Sequence, residues 1–159
     1  MDIKEVTEEN VDVLSIWLDE HINNNDVWIN SMLNKKTICG YSFLRESIFL
    51  GRLWCCIMFH NEEIVGVLVV ALPESYRIHI KSAEVLVYYS KENYFIKEAL
   101  KLLKVSWGDL IKKIKFVYLR NDKDLNMYIS SEVKDIVHEI SLECNENRFC
   151  IDSIFVGED

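Results

Sequence analysis

Two proton-handling side chains stand out by their place in the pattern. Tyr128 lies seven residues after Asn121, and Asn121 ends the apolar strand that begins near Lys115, just before a helical pattern starts. Glu84 sits inside the otherwise apolar segment Ala83–Tyr89. A phenol can donate a proton to a developing anion. A carboxylate drawn into an apolar environment becomes more basic, because burial disfavours its charged form. Both have plainer roles as well: a helix tyrosine packed on a sheet with its hydroxyl satisfied, or a carboxylate facing solvent from a strand edge. His21, His60, His79 and His138 are scattered over elements that need not converge, and no serine–histidine–acid arrangement can be read from their spacing. The five cysteines (Cys39, Cys55, Cys56, Cys144 and Cys150) show no metal-ligand spacing. Cys55 and Cys56 would project to opposite faces of a strand, so they read as reduced core thiols, and no metal is expected.

Periodicity supplies the elements that would position these side chains. Ile3–Val6 is a short apolar start, and Thr7 is placed as the N-cap of a helix running to about His21, with Val6 and Val11 as its hydrophobic staple. Val11, Leu14, Leu18 and Ile22 form the buried stripe of that helix. The run Asn23-Asn24-Asn25-Asp26 ends it and caps a second helical piece predicted over Val27–Lys36; a third covers Tyr41–Leu50. Leu53–Phe59 and Ile64–Leu72 are hairpin strands around a polar turn, apolar enough on both faces to need helices on both. Pro73–Tyr76 is a loop and Ala83–Tyr89 a third strong strand. A helix over Glu92–Val105, a strand over Ile114–Leu119, a helix over Asp124–Ile136 and a hairpin of Glu139–Cys144 with Arg148–Val156 complete the chain. That order predicts an α+β fold in one domain over residues 1–159: a mixed, mostly antiparallel central sheet with helices on both faces.

Composition narrows the partners. A net charge of −8 argues against nucleic acid, whose phosphates need a basic face. The N-terminal MDIKEVTEEN, acidic and polar, does not read as a secretory leader, and the longest apolar runs are too short to span a bilayer, so a cytoplasmic protein without a membrane partner is expected. Eight basic residues against three acidic ones lie between Lys91 and Arg120, a basic island that suits a phosphate-bearing ligand.

The element order resembles the GCN5-related N-acetyltransferase (GNAT) superfamily over essentially the whole chain. Three local segments carry the likeness: the hairpin FHNEEIVGVLVV with Gly66 after its turn, the strand Ala83–Val87, and the spacing from Asn121 to Tyr128. The resemblance implies acetyl-CoA as cosubstrate and a small-molecule or peptide amine as acceptor. It implies a pantetheine arm laid along the backbone of the Ala83–Tyr89 strand (Val85, Val87, Tyr89 and Ser90), with Lys91, Lys97 and Asn121 also at the cofactor. Tyr128 would then protonate the leaving thiolate. An amine attacks only when neutral, so a base is needed, and Glu84 is the candidate.

One departure is large. The family opens the next helix with an Arg/Gln-x-x-Gly-x-Gly/Ala loop whose glycines let the backbone approach the pyrophosphate. The corresponding residues are Lys91-Glu92-Asn93-Tyr94-Phe95-Ile96, and no glycine occurs between Ser90 and Leu103. The alternative is therefore a catalytically inactive GNAT-like binding or interaction module, acting for instance as a homodimer.

Overall fold

The computed structural model describes residues 2–30, 33–72, 82–92, 94–107, 111, 113–119, 139–144 and 149–155. Its elements, in chain order, are β1 (Asp2–Glu5), α1 (Val11–His21), β2 (Trp28–Ile29), α2 (Lys35–Cys39), α3 (Tyr41–Phe49), β3 (Leu53–His60), β4 (Glu63–Ala71), β5 (Ser82–Ser90), α4 (Phe95–Trp107), β6 (Lys113–Leu119), β7 (Glu139–Cys144) and β8 (Phe149–Phe155). The sheet runs β1-β3-β4-β5-β6-β8-β7, with β2 attached separately to β5. Every pairing is antiparallel except β5 with β6.

The β3–β4 hairpin forms where β-branched and aromatic residues meet a tight turn. Asn61 and Glu62 both take the left-handed conformation (φ 51° and 66°), which matches the twist of the strands they join. Side chains of β3 and β4 alternate between two apolar cores. Trp54, Cys56, Met58, Leu68 and Val70 meet α4 on one face. Cys55, Ile57, Val67 and Val69 meet α1, α2 and α3 on the other. The expectation of an α+β sheet covered on both faces holds. No helix among the described residues is long and apolar enough to cross a membrane.

Three local expectations are corrected. The N-cap position of α1 is Asn10 rather than Thr7: the helix starts at Val11, and the Asn10 side chain accepts from the Thr7 N–H at 2.6 Å instead of capping the helix. Helix α4 starts at Phe95 rather than Glu92, because the Phe95 N–H closes a turn on the Glu92 carbonyl at 3.0 Å. The third matters most. The helix expected over Val27–Lys36 is divided: Trp28–Ile29 is the strand β2, and α2 begins only at Lys35, where the Asn34 side chain accepts from the Lys36 and Thr37 N–H groups. Val27, Trp28 and Ile29 are β-favouring residues, and pairing with β5 gives them the strand that the helical expectation missed. The helix expected over Asp124–Ile136 lies outside the described residues.

Candidate functional site

Strand β5 has two edges, and they are used differently. Along one, β4 pairs with it from Glu84 to Ser90. The register slips between Val69 and Val70, which face Val87 and Val85, so Leu86 is an extra residue in a β-bulge. The bulge inverts the alternation: Val85 faces the α4 core while Val87 and Tyr89 face the α1 core. The side chains of Val85 and Val87 thus point to opposite faces.

On the other edge, β6 pairs with β5 only over Ser82, Ala83 and Glu84, opposite Lys113, Ile114 and Lys115. Beyond that point β6 continues to Leu119 alongside β8, and the ladder with β5 ends. The freed edge is taken up by the chain itself. Ile29 lies opposite Val87 and Trp28 opposite Tyr88. The Asn30 N–H donates to the Leu86 carbonyl at 2.9 Å, and Asn30 Nδ2 donates to the Val85 carbonyl at 3.1 Å and to Glu84 Oε1 at 3.3 Å. Asn30 is only 2% exposed. Glu84, the expected base, is half-buried beside this carboxamide.

The turn after β5 is also committed internally. The Lys91 N–H donates to the Val65 carbonyl at 2.8 Å, and Ser90 Oγ donates to the Glu92 carbonyl at 2.6 Å. Lys91 Nζ lies 2.6 Å from Glu63 Oε1. That contact holds the Glu63 carboxyl below its ordinary value and raises the Lys91 ammonium. Phe95 is fully buried, with its ring over Gly66: a Cβ added to Gly66 would sit 2.5 Å from ring atoms of Phe95. Gly66 is therefore required by a ring from the first turn of α4. Tyr89 packs against Trp17 with ring centroids 5.0 Å apart, and Trp17 in turn stacks on His21 at 4.8 Å. Burial pushes the Tyr89 phenol up, offset in part by Lys91.

Of the residues expected at the site, Glu84, Val85, Val87, Tyr89, Ser90 and Lys91 fall on β5 or the turn after it, and Lys97 on the first turn of α4. Asn121 and Tyr128 lie outside the described residues. Asn30 was not anticipated, since a helix over Val27–Lys36 gives it no role at the sheet. The available signal was a lone carboxamide in an apolar stretch, VWIN, directly after a helix-stopping run of asparagines.

The fold as a whole is shared with known structures. An acetyltransferase of the GNAT family from Streptococcus pneumoniae superposes with a TM-score of 0.62 at 11% identity, covering 98% of this chain and 99% of its own. The chain has the GNAT fold. PaiA N-acetyltransferase from Thermoplasma acidophilum, solved in complex with coenzyme A, gives 0.60 at 13% identity over 96% of this chain and 98% of its own. An acetyltransferase from Salmonella typhimurium that modifies the N-terminal serine of ribosomal protein L7/L12 gives 0.58 at 13% identity over 99% and 94%. No family model and no curated protein sequence matches the chain.

The GNAT fold raises the question of whether a nucleotide thioester fits these residues. In the described conformation it does not. The arm would need the β5 edge that Trp28–Asn30 hold, and the pyrophosphate would need a turn where the Lys91 and Phe95 N–H groups and the Ser90 hydroxyl already donate to the chain and Glu92 adds negative charge. Among the described residues no group of three His, Cys, Asp or Glu side chains could hold a metal ion.

Proposed function

We propose that this chain is a GNAT-fold binding module that has given up acetyl transfer. One observation carries the reading: in the turn after β5, the Lys91 and Phe95 N–H groups and the Ser90 hydroxyl all donate to carbonyls of the chain itself. Fixed donors left free for the ligand are what an anion site at a helix start needs. With a net charge of −8, the ligand class that suits the surface is a cationic amine, as a small molecule or a peptide. Cys39, Cys55 and Cys56 are free thiols, which fits a reducing, cytoplasmic setting. Isothermal titration with acetyl-CoA tests the reading. The expected result is no heat of binding; micromolar binding would overturn it.

A second reading is favoured by the parting of β5 and β6 beyond Glu84 and Lys115. It is acetyl-CoA-dependent N-acetylation of an amine, as the acetyltransferase from Salmonella performs on an N-terminal serine. In this reading Val85, Val87, Tyr89, Ser90, Lys91, Lys97 and Asn121 hold the cofactor, Glu84 serves as base and Tyr128 as acid, and residues 28–30 must leave the edge of β5. Release of free CoA thiol in the presence of a panel of amines tests it: a rate that falls about a hundredfold or more in Tyr128→Phe supports it, and no release with any amine ends it.

A further inference from the structure

The segment at Trp28–Asn30 does more than pack beside the sheet. It meets β5 immediately past the last residue paired with β6: β6 pairs with Ser82, Ala83 and Glu84, then the Asn30 carboxamide and N–H take the Val85 and Leu86 carbonyls, and Ile29 and Trp28 lie opposite Val87 and Tyr88. A pantetheine arm is an extended chain carrying amides, and the GNAT resemblance lays such an arm along this strand. Asn30 offers the same chemistry from within the chain, its backbone and side-chain amide donors reaching consecutive carbonyls at 2.9 and 3.1 Å. The segment is tied at both ends. The Val27 N–H bonds the Asn24 carbonyl at 3.2 Å, and the Leu33 N–H bonds the Asn30 carbonyl at 3.0 Å. Val27 is buried in the α1 core, and Trp28 and Ile29 are half-buried against opposite faces of the sheet.

We infer that Trp28–Asn30 is a built-in substitute for the cofactor's pantetheine arm: the chain completes the β5 edge with its own amides. This concerns the edge of β5 and stands independently of the turn that supports the proposed function. A tethered competitor works at an effective concentration set by its short connection, so a free arm must displace it rather than fill a vacant groove. If the segment left the edge for 1% of the time, an arm needing that edge would bind about a hundredfold more weakly than to an open strand.

Hydrogen exchange of the full chain, with and without millimolar acetyl-CoA, tests the inference. Amides in peptides covering residues 26–30 and 84–90 are expected to exchange slowly, at rates acetyl-CoA leaves unchanged. In Asn30→Ala, which removes the carboxamide bonds, both peptides should exchange about tenfold faster or more. Unprotected exchange in the wild-type 26–30 peptide overturns the inference and leaves the module reading standing, since β4 protects part of 84–90 in any case. Slower exchange at 84–90 together with faster exchange at 26–30 on adding acetyl-CoA overturns both, because the arm then displaces the segment. Heat of acetyl-CoA binding with neither peptide altered keeps the inference and overturns the module reading. The wild-type measurements decide the matter even if the variant fails to fold.

Discussion

In the proposed reading, the turn after β5 and the β5 edge held by Trp28–Asn30 would turn away two adjoining parts of a nucleotide thioester, its pyrophosphate and its pantetheine arm, by different physics. At the turn the obstacle is committed donors: the Lys91 N–H is given to Val65, the Ser90 hydroxyl to Glu92, and the Lys91 ammonium is paired with Glu63. At the edge it is backbone pairing from a segment more than fifty residues away in the chain, secured by one buried carboxamide. The first is a local change that a few substitutions could reverse. The second is a tertiary contact, and removing it leaves buried carbonyls to be satisfied again.

Mutations separate the two regions, beginning with the largest effect. Phe95→Ala should cost about 3–5 kcal/mol of unfolding free energy in a denaturant titration, since the ring is fully buried between β4 and α4. Gly66→Ala should cost about 1–3 kcal/mol alone, because its methyl meets that ring. In a Phe95→Ala background the same change should cost little, and a double-mutant cycle that came out additive would deny the contact. Asn30→Ala should cost about 1–3 kcal/mol through the Val85 carbonyl left unpaired; an unchanged midpoint would mean that the edge does not depend on it.

The smallest effect belongs to Lys91 and Glu63, both exposed. The Glu63 carboxyl is lowered by its bond to Lys91, so the stability it contributes is present above its unfolded pKa and lost as pH falls through the lowered folded value. The Lys91 ammonium is raised, so its contribution is present below its unfolded pKa and lost as pH rises through the raised folded value. Lys91→Ala should therefore shift Tm slightly between those limits. The shift should shrink at acid pH, at strongly alkaline pH and in high salt, and a difference constant across pH would assign the effect to something else.

Thiol chemistry checks the core on either side of the sheet. Burial raises the pKa of both Cys55 and Cys56, so alkylation of the folded protein should reach Cys39 well before either. Equal rates would mean that the β3 strand opens readily.

Much of the scaffold was legible because it is written locally. The hairpin of β3 and β4, the apolar stretch of β5 and the amphipathic α4 follow from runs and periods within short windows. The missing glycines were legible for the same reason, but Phe95, read as bulk at that turn, sends its ring into the core over Gly66. What could not be read was set by partners distant in sequence. The partner of Trp28–Ile29 is the edge that β5 offers, and the bulge at Leu86 follows from the register fixed by Val69 and Val70. That bulge sends Val85 and Val87 to opposite faces, against what alternation alone predicts for residues two apart. Gly66 matched a family position in sequence, yet the contact that requires it here is the ring of Phe95.

A crystal structure of the chain grown in millimolar acetyl-CoA tests the central claim most directly. The account predicts Trp28 and Ile29 still paired with Tyr88 and Val87, Asn30 on the Val85 carbonyl, and no thioester between β5 and β6. A pantetheine arm lying on residues 85–88, with residues 28–30 displaced from the strand, would contradict it.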